Sequence, residues 1–171
     1  MSRYFPHPAY AEDQPLARTI LTTHVETRAI TTGTIIGAGI AAGRGALQRF
    51  RKTATPGPID VSQSLRYLRA AGNSTVWTVA IVSVGLVGRM WGREEIEWKD
   101  RSWRLMENKG QLETDDWTYG GMAAGLAASV LLKRPVGWAA VVGSVGVGSV
   151  AGTLGYMGWR YGMHGGKRPE S

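Results

Sequence analysis

Charged residues are spaced along the chain so that four stretches hold no Asp, Glu, Lys or Arg: residues 29–43, 70–88, 117–132 and 135–159. These run for about 15, 19, 16 and 25 residues, where a helix needs about 20 to cross the hydrocarbon core of a bilayer. The fourth suffices alone. The first and third must recruit flanks such as Thr27, Arg44 or Lys133, the long basic side chains reaching outward while their stems stay apolar. The pattern predicts an all-α membrane protein, a compact bundle of four short Gly-rich transmembrane helices. The spans cover about 27–47, 72–91, 116–133 and 136–159. They form a membrane domain over 29–159, between a polar N-terminal segment, 1–28, and a polar tail, 160–171.

Glycine supports this reading, because its positions repeat at helical spacing. Gly33 and Gly37 stand four apart, as do Gly39 and Gly43, then Gly121, Gly125 and Ser129. Ala140, Ser144, Gly148 and Gly152 form one continuous run. Residues at i and i+4 share a helix face, so each run is a groove into which another helix can sink. In a water-exposed helix each Gly costs roughly 1 kcal/mol relative to Ala. In lipid the backbone bonds close within the segment, and a missing side chain becomes useful.

Four spans put both termini on one side of the membrane, here the terminal side. The opposite, basic side collects Arg44, Arg49, Arg51, Lys52, Arg66, Arg69, Lys133 and Arg134 against the single acid Asp60. The terminal-side loop is acid-rich, with Glu94, Glu95, Glu97, Asp100, Glu107, Glu113, Asp115 and Asp116. By the positive-inside rule the basic side faces the cytosol or, in a mitochondrion, the matrix. Tryptophan agrees: Trp77 and Trp138 fall at basic-side ends of spans, and Trp91, Trp117 and Trp159 at terminal-side ends. Trp98 and Trp103 lie in the loop, on a stretch suited to contact partners.

The connecting segments add detail. Residues 1–28 lack the apolar run of a signal peptide and the acid-poor character of a cleavable presequence. After the Pro-Gly-Pro break at 56–58, Asp60 reads as a cap, and Val61, Leu65 and Leu68 share a face turned away from Arg66 and Arg69. That is the pattern of an amphipathic helix on the membrane surface between spans one and two. Asp115 and Asp116, just before span three, read as N-terminal caps suited to the positive end of a helix.

Composition narrows the chemistry. Among 171 residues there are 24 Gly and no Cys, which removes disulfides, thiolate metal sites and a Cys nucleophile. His7, His24 and His164 show no metal-ligand spacing. No Gly-rich phosphate motif ends in Gly-Lys-Ser/Thr. No ionisable residue falls mid-span, so no proton relay or ion carrier is expected. The net charge of +7 is spread over loops beside the spans. It points to anionic lipid, worth about 1 kcal/mol per juxtamembrane base, rather than to nucleic acid. No catalytic, cofactor or metal residue is expected.

Several pieces together carry a family resemblance. They are Gly33-Thr-Ile-Ile-Gly37-Ala-Gly39; Thr55-Pro-Gly57 with residues 61–71; Asp115-Asp116-Trp-Thr-Tyr-Gly120-Gly121-Met-Ala-Ala-Gly125; and the stripe from Gly143 to Gly155. Over residues 17–162 the chain resembles the mitochondrial inner-membrane translocase channel superfamily. Within that superfamily it is most like the four-helix accessory subunit of respiratory complex I. Thr118 and Tyr119 stand where the family often has Asn after the acids. The resemblance implies a noncatalytic accessory subunit that braces the membrane arm of complex I and holds neighbouring membrane-arm subunits. It also implies cardiolipin or another anionic phospholipid at Arg44, Arg49, Arg51, Lys52, Lys133 and Arg134, and both termini in the intermembrane space. Grooves at Gly37, Gly125 and Gly148 would let helices approach, with Trp98 and Trp103 reaching partners. The alternative is a component of an inner-membrane protein-import translocase, with Thr31, Thr32, Thr34, Ser83, Ser129, Ser144 and Ser149 lining a polar cavity. A soluble basic binding module is the third reading.

Overall fold

The computed structural model describes residues 4–51, 61–131 and 137–166, with the side chains of all but 49, 51 and 61 among them. Five helices and no strand occur among the described residues: α1 (Ala17–Arg51), α2 (Val61–Met90), α3 (Glu95–Glu107), α4 (Lys109–Leu131) and α5 (Trp138–Met157). A 3₁₀ turn at Ala11–Asp13 precedes α1, and α5 continues as a π-helical segment, Gly158–Met163.

Turn residues, not charges, set the boundaries. Leu16 takes a left-handed φ of 54° just before α1. The buried Gln14 amide secures that bend by donating to the carbonyls of Pro6 and Pro15, at 2.9 and 3.0 Å. α1 then runs 35 residues without proline, about 52 Å at 1.5 Å per residue. The expected boundary at 28/29 therefore falls inside a helix. Beyond the end of α2, Gly92 has φ 68°, a conformation that Gly adopts without steric cost. Glu95 and Glu97 occupy the first turn of α3 and Arg104 its last, each suited to the helix dipole.

Two sequence expectations are corrected here. α2 begins at Val61 and runs unbroken into the apolar stretch, so residues 61–71 are its first turns, not a separate surface helix. This stretch packs within the bundle, for the Leu68 backbone sits against Gly143 of α5. Asp60 lies outside the described residues. Asp115 and Asp116 do not cap α4 either, since six helical residues precede Asp115. The cap is Asn108, whose Oδ1 accepts the Gln111 N–H at 3.2 Å.

Among the described residues, two helices are long and apolar enough to cross a membrane by length and composition, Ser62–Met90 and Trp138–Met163, not the four expected. α1 falls short because Thr and Gly dilute its apolar middle and charges begin at either flank. α4 is shortened by Asp115, Asp116 and its four glycines.

α5 is central, packed between α2 and α4; α1 lies against α2 and touches α5 along a narrower strip. α3 folds back over the terminal end, against α1 and the 3₁₀ turn. A small apolar cluster of Ile20, Met106 and Leu112 forms there, covered by Phe5, Leu105 and Tyr119. Elsewhere the interior is small and polar. Thr27, Thr31, Thr34, Thr75, Thr118, Ser129 and Ser149 are buried, while Trp77, Ile81, Val84, Val130 and Leu154 are exposed.

Candidate functional site

The helix seams place every other feature of the site. On α1, an added Cβ at Gly33 would lie 2.7 Å from the Thr75 Cα, and one at Gly37 2.7 Å from the Ala71 Cα. Gly121 and Gly148 face each other across α4 and α5, so a Cβ on either would strike the other's carbonyl oxygen. Gly125 meets the Ser144 carbonyl, and Gly152 that of Trp117. Ala140 is fully buried, and Ser129 is buried with its hydroxyl donated to the Leu126 carbonyl at 2.7 Å.

Gly39 and Gly43 are corrected. Nothing lies within 4 Å of a Cβ at either, and both are exposed. Gly39 is two residues beyond Gly37, about 200° around the helix, so the two pairs cannot meet one neighbour. Three close contacts were not assigned from sequence: Gly72 against Ala139, Gly143 against Leu68, and Gly146 against the Thr34 hydroxyl. All three belong to the face of α5 turned toward α2 and α1. The stripe singled out in the sequence includes the α4-facing positions, and a helix packed on two sides needs two stripes.

Hydroxyls cross the seams. Thr31 donates to Ser149 at 3.2 Å, Thr34 and Thr75 meet at 2.9 Å, and Thr118 and Thr153 at 2.9 Å. Each threonine hydroxyl also lies within hydrogen-bond distance of the carbonyl four residues earlier, so its one proton is shared between the seam and its own helix. The helices therefore satisfy these groups internally.

Three carboxylates then tie the helices together near the terminal end. Asp115 of α4 is fully buried; its Oδ2 accepts from His24 Nδ1 at 2.7 Å and its Oδ1 from Arg28 Nη2 at 2.6 Å. His24 and Arg28 stand four apart on α1, so one face of α1 closes on one acid. Arg28 also donates to Gln111, and Thr27 contacts the Tyr119 hydroxyl at 3.2 Å. Glu113 of α4 accepts from Tyr156 and Arg160 of the α5 segment, at 2.8 and 2.9 Å. Glu26 of α1 accepts from Ser83 of α2 at 2.7 Å. Glu26, Ser83 and Asp115 lie six to nine residues inside their helices, roughly 9–14 Å from the ends. Glu26 and Asp115 immediately precede residues 27 and 116, where the expected spans begin, so the helices start before the spans and carry these acids at the span edges. A basic i, i+4 pair on α1 and two acids ahead of a Gly-rich helix was the available signal.

The loop tryptophans have partners within the chain. Trp103 Nε1 donates to the Pro8 carbonyl at 3.0 Å, with His7 stacked at 5.6 Å and bonded in turn to Glu107 at 2.8 Å. Trp98 lies under the Arg18 guanidinium, 5.5 Å from its ring centre. Trp117, Tyr156 and Trp159 form an aromatic cluster, with centroids 6.0–6.4 Å apart. Of the basic residues assigned to lipid, Arg44 is exposed and lines a groove of about 260 Å³ between α1 and α2, with Gln48, Gln63, Arg66 and Tyr67. Lys52, Lys133 and Arg134 lie outside the described residues, as do the side chains of Arg49 and Arg51.

Among the described residues no group of three His, Asp or Glu side chains is placed to hold a metal. The geometry joins helices and offers polar grooves at both ends. Compared with known proteins, the chain matches no protein-family model and no curated sequence.

Proposed function

We propose that the chain is a noncatalytic membrane-embedded subunit that braces a larger assembly, the membrane arm of mitochondrial complex I being the assembly its sequence pattern resembles. One observation carries the membrane part: apolar and polar groups are inverted relative to a water-soluble fold. Asp115, Thr118 and Ser149 are 0% exposed, while Trp77 is 71%, Val84 73% and Val130 72% exposed. Leaving a large apolar side chain in water forgoes about 1.5–3 kcal/mol. Ten of them forgo on the order of 15–30 kcal/mol, more than the 5–15 kcal/mol by which a domain is usually stable. Lipid or a neighbouring subunit removes that penalty, and small-residue seams with interhelical hydroxyl bonds are the packing that lipid favours.

In this reading all four long helices cross the bilayer, α1 and α4 sheltered in part by their neighbours. The basic end faces the matrix and both termini face the intermembrane space. The groove at Arg44 and Arg66 takes an anionic headgroup such as that of cardiolipin. The outward apolar faces meet lipid and membrane-arm neighbours. Bracing follows from the three carboxylate ties, which hold four helices in one spacing. The interior hydroxyls pair with one another, which favours packing over the polar path that an import channel needs.

The test is deletion of the gene followed by native gels. A smaller or depleted complex I, with the chain co-migrating with the intact complex in wild-type membranes, supports the reading. A fully assembled complex I in its absence refutes it, and release of the chain by alkaline carbonate refutes the membrane part.

A further inference from the structure

A cleft of about 400 Å³ opens at the terminal end between α1, α2 and the start of α3. Arg18, Glu26, Ser83, Leu86, Val87 and Arg93 are among the residues that line it. Glu26 is short of donors. Its Oε1 faces Ser83, whose single hydroxyl proton is also directed at the Val79 carbonyl at 2.8 Å. Its Oε2 is buried and has no hydrogen-bond partner among the described residues. A buried acceptor left in that state is costly and calls for a donor.

The rest of the cleft has the opposite charge. Arg18 gives Nε and Nη2 to Glu95, at 3.2 and 2.8 Å, and Arg93 gives Nη1 to Glu97 at 3.1 Å. A guanidinium has five N–H donors, so neither arginine is exhausted by its carboxylate. Leu86 and Val87 continue the wall, and the exposed Val84 lies one turn further along α2. One acceptor-rich acid, two guanidiniums and an apolar wall thus share a single opening.

We infer that this cleft seats the headgroup of an ethanolamine phospholipid, its ammonium on Glu26 and Ser83, its phosphate on Arg93 and Arg18, its chains along α2. The inference rests on the membrane reading above. A choline headgroup has no N–H to give Oε2, and Arg18 already lies over the Trp98 ring that would attract a quaternary ammonium. An anionic lipid without an amine leaves Glu26 unanswered.

The experiment is native mass spectrometry of the full chain in detergent, offered equal amounts of dioleoyl phosphatidylethanolamine, phosphatidylcholine and phosphatidylglycerol. The wild type should retain the ethanolamine lipid about tenfold over the choline lipid, the ratio expected from one charge-assisted bond. Glu26→Gln should bring that ratio near one. Arg93→Gln should weaken both adducts together, because the phosphate is common to them. Arg69→Ala, an exposed site at the opposite end that lines neither groove, should leave the ratio unchanged. Circular dichroism and a monodisperse gel-filtration peak verify folding, and Ser83→Ala provides a second lowering of the ratio if Glu26→Gln fails that check. Equal binding of choline and ethanolamine lipids by the wild type overturns the inference, as does an unchanged ratio in Glu26→Gln. Glycerophosphoethanolamine displacing the lipid at equal concentration would make the ligand a soluble headgroup and overturn it too. Carbonate extraction of the source membranes, before detergent is added, separates failure of the membrane reading from failure of the lipid assignment.

Discussion

Replacing Gly37 and Gly39 singly by alanine, on one helix and two residues apart, isolates what close approach contributes. A Cβ at Gly37 would stand 2.7 Å from the Ala70 carbonyl oxygen, the Ala71 Cα and the Ser74 Cβ, while ordinary contact begins at 3.4 Å. Two of the three are backbone atoms that cannot rotate aside, so α1 and α2 must part by about 0.7 Å there. A gap of 0.5–1 Å forfeits a quarter to a half of each affected dispersion contact, and overpacking of this kind typically costs about 1–3 kcal/mol. The higher helix propensity of alanine offsets up to about 1 kcal/mol. At Gly39, open on all sides, only that gain remains. The exchange of side chain is the same in both variants, so the unfolded-state contribution largely cancels between them. The difference should be about 1–3 kcal/mol, or roughly 2–12 °C in Tm for a chain of this size, with Gly37→Ala the less stable. Thermal unfolding in one detergent, followed by circular dichroism, measures it. Equal midpoints, or a lower midpoint for Gly39→Ala, would refute the assignment of the α1–α2 seam.

Three further outcomes follow from the polar ties. Asp115→Asn leaves Arg28 and His24 facing a neutral amide in a buried site, and should cost about 3 kcal/mol or more; a loss below 1 kcal/mol by the same unfolding assay contradicts a buried ion cluster. In a Thr34→Val and Thr75→Val double-mutant cycle the coupling energy should be about 0.6 kcal/mol, the average for such bonds between membrane helices, and a coupling of zero removes the bond. Trp103→Phe deletes the bond to the Pro8 carbonyl, worth about 1 kcal/mol, so limited proteolysis within residues 4–16 should accelerate about fivefold; an unchanged rate shows that the loop does not hold the segment.

Small-residue spacing and the positions of the charges made the long helices legible, but in different ways. The charge-free stretches locate apolar surface, not helix ends, which is why α1 begins at Ala17 although its charge-free run begins at Ala29. Asp115 was hidden by a local rule. An acid ahead of a Gly-rich run resembles a cap, and only the fold brings His24 and Arg28, some 90 residues away, onto it. Gly39 and Gly43 have the spacing of Gly33 and Gly37 on the wrong face, which helix rotation alone reveals. Gly72 and Gly146 lack a partner at four residues on the same face, and only the neighbouring helix shows why they are small. The loop tryptophans needed the N-terminal segment, whose irregular backbone leaves no periodic signal.

A membrane-embedded chain must hold the exposed face of α2 in lipid. The chain has no cysteine, so a nitroxide on Val84→Cys, or on Ile81→Cys, reports without background in reconstituted liposomes. Collision with oxygen should exceed collision with a water-soluble nickel chelate at both positions, and the order should reverse at Ser62→Cys near the basic end. A chelate collision rate at Val84 as high as that at Ser62 would place this face in water and contradict the account.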